Sequence, residues 1–318
     1  MRCEFGGPRE LLLENTVNSD LPSEAPFVCL QKVNTVAATG SDKQFENVLK
    51  NIKRGLVKLQ DLPEFKVPKV GIPVALIGGG PSVKTTIEEA KQFQVVVACG
   101  SSHDFIVEKG LIPTYCVLCD PDPLMADYIK NPQKKTTYLV SSACDDTVFE
   151  ALKGHNVVIW HCHSDDYDDK KDQIDKDYYG IGGGCTVGLR SLSIFIMMGY
   201  NDIHFFGFDS CLGEENEHHA YKFATDKEEL GDIYKIRLGM NDEIYNSRTF
   251  LCAGYMIAQI ANFKDFYTHY ASIFKPTFHG DGALPFFMEI INKEAERISK
   301  SSKLEQDQIF MVRGMQST

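Results

Sequence analysis

The chain has 318 residues, 43% of them hydrophobic and 24% charged, a balance that suits one large α/β domain with decorations, or two domains. Its net charge of -11 excludes the basic footprint of a duplex-nucleic-acid binder, so a phosphate ligand would rely on local N–H groups, a metal or a few basic residues. Ten scattered cysteines, with C-x-x-C spacing at Cys116 and Cys119 and no second such pair, point to free thiols in a reducing, cytoplasmic setting rather than a disulfide framework or zinc site.

The N-terminal stretch shows no charged-then-apolar leader pattern, and no apolar run reaches membrane-spanning length. Residues 1–40 mix Pro, Ser, Asn and Glu and are expected to form an irregular arm. Phe45, Val48, Leu49, Ile52, Leu56 and Leu59 recur at helical spacing, so a packing helix is expected over Asp42 to Leu59.

From Pro73 the rhythm becomes strand, turn, helix. Strands are expected at Val74 to Ile77, Gln94 to Ala98, Thr114 to Cys119, Thr137 to Val140, Asn156 to Trp160 and Asp202 to Phe206. Helices are expected over Thr85 to Phe93, Ser101 to Lys109 and Cys185 to Met198. Such alternation predicts a Rossmann-like, doubly wound, mostly parallel α/β sheet over residues 41–265, with helical N- and C-terminal additions. Residues 164–178 form an acidic insertion read as a solvated excursion, with a lid as the sharper alternative. Residues 210–238 form a second insertion. Helices over Ile244 to Phe263 and Leu284 to Ile298 carry the chain into a C-terminal helical extension, residues 266–318.

Nearly every strand ends in small or ionisable residues, and ligands of open α/β sheets bind outside those carboxyl ends. The first strand runs into Gly78-Gly79-Gly80-Pro81-Ser82. Glycines let a ligand approach the backbone, proline suits a first helical turn, and the free N–H groups there attract phosphate. Ser82-Val83-Lys84 lacks the Gly-Lys-Ser/Thr close of a P-loop, and Val83 stands where the dinucleotide fingerprint needs a third glycine. Gly182-Gly183-Gly184-Cys185-Thr186 repeats the logic, with amides and the Thr186 hydroxyl able to hold a second phosphate or the other side of the first.

Asp120, Asp122 and Asp209 follow strands, where carboxylates suit Mg²⁺ bridged to substrate phosphates or hydrogen bonds to a ribose; turn formation is the plainer role for Asp122. His161, His163, His218 and His219 match no closed zinc spacing. In the second insertion, His218 or His219 reads as a general base near the switch point, and Tyr221 as a holder of a leaving phosphate.

Together with Gly110-Leu111-Ile112-Pro113-Thr114-Tyr115 and the run from Gly199 to Asp209, these motifs resemble the MptE-like family over about residues 45 to 265. That family includes archaeal 6-hydroxymethylpterin diphosphokinase and motility accessory factors that glycosylate flagellin. The motif order is also similar to bacterial lipooligosaccharide sialyltransferases. The resemblance implies that Gly78 to Ser82 and Gly182 to Thr186 hold a nucleotide and its phosphates. It also implies that Asp209 contacts the nucleotide or a metal, and that His218 or His219 acts as acid–base. Three functions stay open: a glycosyltransferase using a nucleotide-activated sugar and an acceptor, a Mg²⁺- and ATP-dependent diphosphokinase, and a non-catalytic nucleotide-binding protein.

Overall fold

The computed structural model describes residues 2–5, 33–36, 40–67, 69–174, 178–222, 232–239, 247–293 and 295–297. In chain order these form β1 (Arg2–Phe5), β2 (Val33–Val36), α1 (Ser41–Asn51), β3 (Val57–Lys58), β4 (Lys69–Ile77), α2 (Val83–Ala90), β5 (Val95–Cys99) and α3 (His103–Glu108). There follow β6 (Tyr115–Leu118), β7 (Thr137–Ser141), α4 (Asp146–Ala151), β8 (Asn156–Cys162), α5 (Lys171–Ile174), β9 (Gly180–Ile181), α6 (Val187–Met197) and β10 (Tyr200–Phe206). The last elements are β11 (Ile233–Leu238), β12 (Arg248–Ala253), α7 (Gly254–Tyr270), β13 (Lys275–His279) and α8 (283–293).

The central sheet has nine strands in the order β13-β10-β4-β5-β6-β7-β8-β3, with β9 beside the end of β8. Its ladders are parallel. From β4 the chain winds outward through β5 to β8, then returns past β4 to lay down β10 and β13 on the other side. The switch of direction therefore falls between β4 and β10. Side chains explain why β4 sits centrally. Val74 and Leu76 join the core packed by α6 and α7, with Phe195, Phe205 and Phe263, whereas Ala75 and Ile77 join the core under α2, α3 and α4. A strand buried on both faces must be apolar throughout, as this one is from Val74 to Ile77.

Several expectations need correction. The helix expected to Leu59 ends at Asn51, followed by a short 3₁₀ turn and Gly55 at φ 66°. A left-handed glycine stops a helix and releases its last carbonyls, and Val57–Lys58 then pairs with β8. Part of the irregular arm is ordered, since β1 and β2 pair antiparallel; residues 6–32 and 37–39 lie outside the described residues. The acidic insertion does not float in solvent: Tyr167 and Ile174 are buried against Phe45 and Val48 of α1. Two apolar anchors are enough to seat a segment whose other side chains face water. Residues 175–177 lie outside the described set.

The C-terminal region departs furthest. Ile244 to Phe263 is not one helix, because Arg248–Ala253 forms a strand with β11 before α7 begins. The extension is not purely helical either, because β13 completes the edge of the main sheet against β10. A boundary at 265 cuts through α7, and β13 of the expected extension belongs to the main sheet; residues 294 and 298–318 lie outside the described residues. The cysteines described are free thiols. Cys116 is buried in β6, whereas Cys119 reaches across to Cys162 at 4.0 Å, so the C-x-x-C residues do not act together. Among the described residues no helix is long and apolar enough to cross a membrane.

Candidate functional site

A cleft of about 600 Å³, open mouth included, lies over the β4–β10 switch point. The position is where open α/β sheets bind a ligand. Gly78, Gly79 and Gly80 line it from the end of β4, and Gly207 to Cys211 from the end of β10. The N-terminus of α6 contributes Thr186, Val187 and Gly188; α7 contributes Tyr255, Met256 and Gln259; His218 and His219 close it from the second insertion.

The glycine loop works differently from the sequence expectation. The Gly78 N–H donates to Phe206 O and the Gly80 N–H to Gly207 O, each at 2.8 Å, and the Ser82 N–H donates to Asp209 Oδ2 at 2.7 Å. These amides tie β4 to β10 and are not open to a phosphate. Close approach explains the glycines instead. A Cβ on Gly80 would sit 2.6 Å from Asp209 Oδ2 and 2.7 Å from Gly207 O, and one on Gly79 would sit 2.4 Å from His219 Cδ2 and 2.5 Å from the Tyr221 hydroxyl. Gly79 is thus the surface on which His219 rests, held there as the Ala220 N–H donates to Gly79 O at 2.9 Å.

The second glycine run is likewise a turn. Gly183 and Gly184 take φ 136° and 90°, and Arg190 donates to the carbonyls of Ile181 and Gly184. Gly182, Gly183 and Gly184 do not line the cleft; Thr186 does. Thr186 caps α6, its hydroxyl accepting from the Leu189 N–H. The next two N–H groups, on Val187 and Gly188, are first-turn donors without an intrahelical partner, and both residues face the cleft. Here the structure offers an anion a true helix N-terminus.

Two residues from α7, one turn apart, complete this end. Gln259 donates to the Thr186 hydroxyl at 3.3 Å and accepts from the Ser210 hydroxyl at 3.1 Å. Ser210 holds φ 54°, a left-handed backbone costly for a non-glycine residue and frequent at functional sites. The Tyr255 hydroxyl is buried and has no hydrogen-bond partner among the described residues. A buried hydroxyl left unmatched in a lined cleft is a natural contact for a ligand oxygen.

Asp209 is 4% exposed and receives both the Ser82 N–H and the Ser82 hydroxyl. Burial pushes its carboxyl above the usual range, and the two Ser82 bonds pull partly against that. The His218 and His219 rings lie tilted at 58° with centroids 3.7 Å apart, His218 beside Tyr255 and His219 beside Tyr221. Tyr221 lies behind His219, and its hydroxyl shares a 2.6 Å hydrogen bond with Ser101. It does not line the cleft, nor do Pro81 and Ser82.

A family model described as "6-hydroxymethylpterin diphosphokinase MptE-like" matches residues 46–215. The chain belongs to the MptE-like family. The match runs from α1 to the start of the second insertion and so covers the whole β4–β10 switch point. Among solved structures, a MAf glycosyltransferase from Magnetospirillum magneticum AMB-1 is similar at 16% identity and a TM-score of 0.57, over 76% of this chain and 36% of that one. This chain therefore spans about a third of that protein's length, and the likeness speaks to the fold. A mammalian sialyltransferase in complex with Gal-beta-1-3GalNAc-ortho-nitrophenol shows 13% identity over 82% of this chain and 92% of that one; its TM-score of 0.36 is too low to argue from. No curated protein matches the chain significantly in sequence.

Within this MptE-like chain, the residues expected to hold Mg²⁺ do not fit such a site. Asp120 Oδ1 accepts the Asp122 N–H and Asp122 Oδ1 accepts the Leu124 N–H, each at 2.9 Å, so both shape the turn into a 3₁₀ segment. Neither lines the cleft, and Asp209, the carboxylate that does, is engaged by Ser82. Among the described residues no group of three His, Cys, Asp or Glu side chains could hold a metal. His161 bonds Ser142 at 2.9 Å and His163 pairs with Asp165 at 3.2 Å, roles unrelated to zinc.

Sequence reading missed Tyr255, Gln259, Ser210 and Ser101. The i, i+4 spacing of Tyr255 and Gln259 puts both on one helix face, but only the fold shows which face meets the cleft. We expect Tyr255→Phe to fold as the parent does and to weaken the cleft's ligand by up to about 10-fold, the worth of one hydrogen bond. Calorimetric titration with CMP and UDP as probes reads this directly, and an unchanged affinity would remove Tyr255 from the site.

Proposed function

We propose that the protein is a nucleotide-dependent transferase, namely a glycosyltransferase that uses a nucleotide-activated sugar. The observation that carries this reading is the anion end of the cleft. The Val187 and Gly188 amides, the Thr186 hydroxyl and the Tyr255 hydroxyl converge there, while no Lys or Arg lines the cleft among the described residues. A helix N-terminus with two hydroxyls matches a single phosphate charge on a nucleoside-linked sugar. In the proposed reaction the anomeric carbon loses its bond to the phosphate oxygen and gains one to the acceptor oxygen. The departing phosphate acquires charge beside the α6 amides, which are already in place. His219, or His218 beside it, takes the proton of the acceptor hydroxyl.

The family description favours a second reading, a diphosphokinase acting from ATP. Triphosphate chemistry asks for cations or a metal to neutralise the phosphates, and among the described residues no Lys or Arg lines the cleft. A thermal-shift panel of CMP, UDP, GDP, ADP and ATP, with and without Mg²⁺, separates the two. A metal-independent shift of about 5 °C with CMP or UDP, at about 100-fold over the dissociation constant, is the expected result. A shift only with ATP or ADP plus Mg²⁺ would replace the sugar reading with the diphosphokinase. Silence across the panel would leave a protein that kept the fold without the activity.

A further inference from the structure

The second insertion carries an ion pair that bears on where the two cleft histidines stand. Leu212 to Ala220 contains Glu214, Glu215 and Glu217. Glu214 and Glu215 are exposed, whereas Glu217 folds back on its own loop. Its Oε2 accepts the Glu215 N–H at 2.9 Å, and its Oε1 accepts the Lys84 ammonium at 3.1 Å. The Gly213 N–H donates to Glu217 O at 2.8 Å, and the Asn216 N–H donates to Gly213 O at 3.0 Å. Gly213 packs directly on the carboxylate, with no room for a Cβ. Asn216 turns the chain at φ 59°, a left-handed conformation that asparagine tolerates better than most residues. Burial alone would raise the Glu217 carboxyl, but the N–H groups around it and the Lys84 ammonium outweigh burial and hold it below the usual carboxylate range.

Lys84 stands in the first turn of α2, where the helix dipole disfavours a cation; the Glu217 carboxylate offsets that. The same end of α2 presents Ser82 to Asp209. The insertion is thereby tied to the body of the fold at three places. The Leu212 N–H donates to Leu251 O at 2.8 Å, Glu217 pairs with Lys84, and the Ala220 N–H donates to Gly79 O at 2.9 Å. The first and last ties are made by backbone alone. The middle one depends on two side chains, and His218 and His219 lie in the chain between it and Ala220.

We propose that Glu217, fastened to Lys84, is the positioning residue that sets His218 and His219 against the cleft. The Lys84 and Glu217 side chains are 45% and 27% exposed, so the ionic part of the hold is modest and screened by salt. The Glu215 N–H and Gly213 contacts supply the rest. The use of this placement in catalysis rests on the histidines being the acceptor's base; the placement itself does not.

Two measurements without any ligand test it. Hydrogen exchange of residues 213–220 reads the loop. The imidazole NMR signals of His218 and His219, identified by their loss in His218→Ala and His219→Ala, read the rings. Lys84→Met alters an exposed side chain and should speed exchange about 3-fold at low salt. The parent should approach that rate as salt rises, and Lys84→Arg should stay parent-like. Glu217→Ala removes the carboxylate altogether; it should speed exchange about 10-fold and move both ring signals towards those of an exposed histidine. In a Glu217→Gln background, Lys84→Met should add nothing further. Parent-like exchange in Lys84→Met, an undiminished effect of that change in Glu217→Gln, or unmoved ring signals in Glu217→Ala would overturn the proposal. Silence in the nucleotide panel would instead remove the transferase reading and leave this placement standing.

Discussion

His219→Ala is expected to lower sugar transfer, and the slower hydrolysis of the nucleotide-sugar without acceptor, by about 10²- to 10⁴-fold. Its nucleotide-induced thermal shift should be nearly unchanged. The separation follows from placement. His219 lies against Gly79 at the end of β4, whereas the amides that hold the phosphate in the proposed reaction belong to α6. Removing a base affects the proton transfer and leaves the anion contacts in place. His218→Ala is the necessary companion, because the two rings are in contact and both line the cleft. A base also leaves a signature that a structural residue does not: the acid limb of the pH–rate profile disappears with it. If His218→Ala loses the limb and His219→Ala keeps it, the roles are exchanged. If both variants keep parent rates, neither histidine is the base.

Much of this arrangement was legible in the sequence because the β4 to β10 units obey local rules. Val74 to Ile77 and Val95 to Cys99 are apolar runs bounded by turns, and such runs in a βα rhythm leave few alternatives to a parallel sheet. The family resemblance likewise rests on the ends of those strands. What could not be read was where each polar group points. Gly78 to Ser82 has the composition of a phosphate loop, yet its amides bond Phe206, Gly207 and Asp209, residues more than a hundred positions away. Gly280 and Gly282 need to be glycine because Ser82 and Asp209 press on them. β13 was missed because Lys275-Pro276-Thr277-Phe278-His279 lacks the apolar density of a central strand; as an edge strand it needs a partner on one side only. Tyr255 and Gln259 escaped notice for the same kind of reason, since a helix face gains its meaning from what it packs against.

Asp209→Ala is expected to lower the melting temperature by about 10 °C, the consequence of roughly 2–5 kcal/mol lost when two donors lose their acceptor. The Ser82 hydroxyl can rotate to another partner, but the Ser82 N–H at the entry to α2 cannot, and it would be left facing an emptied, buried site. Ser82 bonds this carboxylate and Gly80 packs against it, so the thermal shift with nucleotide should vanish as well. Asp209→Asn distinguishes shape from charge. Its amide keeps one acceptor for Ser82 and fills the same volume, so most of the stability should remain. The pH dependence should differ between parent and Asn variant in a defined direction. Burial raises the folded pKa of Asp209; the unfolded chain therefore ionises first as the pH rises. Stability from this group is greatest below the ordinary carboxylate range and is lost as the pH climbs from that range through the raised folded value. The Asn variant has no such loss. Acid-to-neutral melting curves of the two proteins should converge where Asp209 is protonated and separate above it, with the parent showing the steeper decline. Parallel curves would mean that Asp209 is not held in this environment. Parent-like stability in Asp209→Ala would show that the Ser82 contact does not organise the loop.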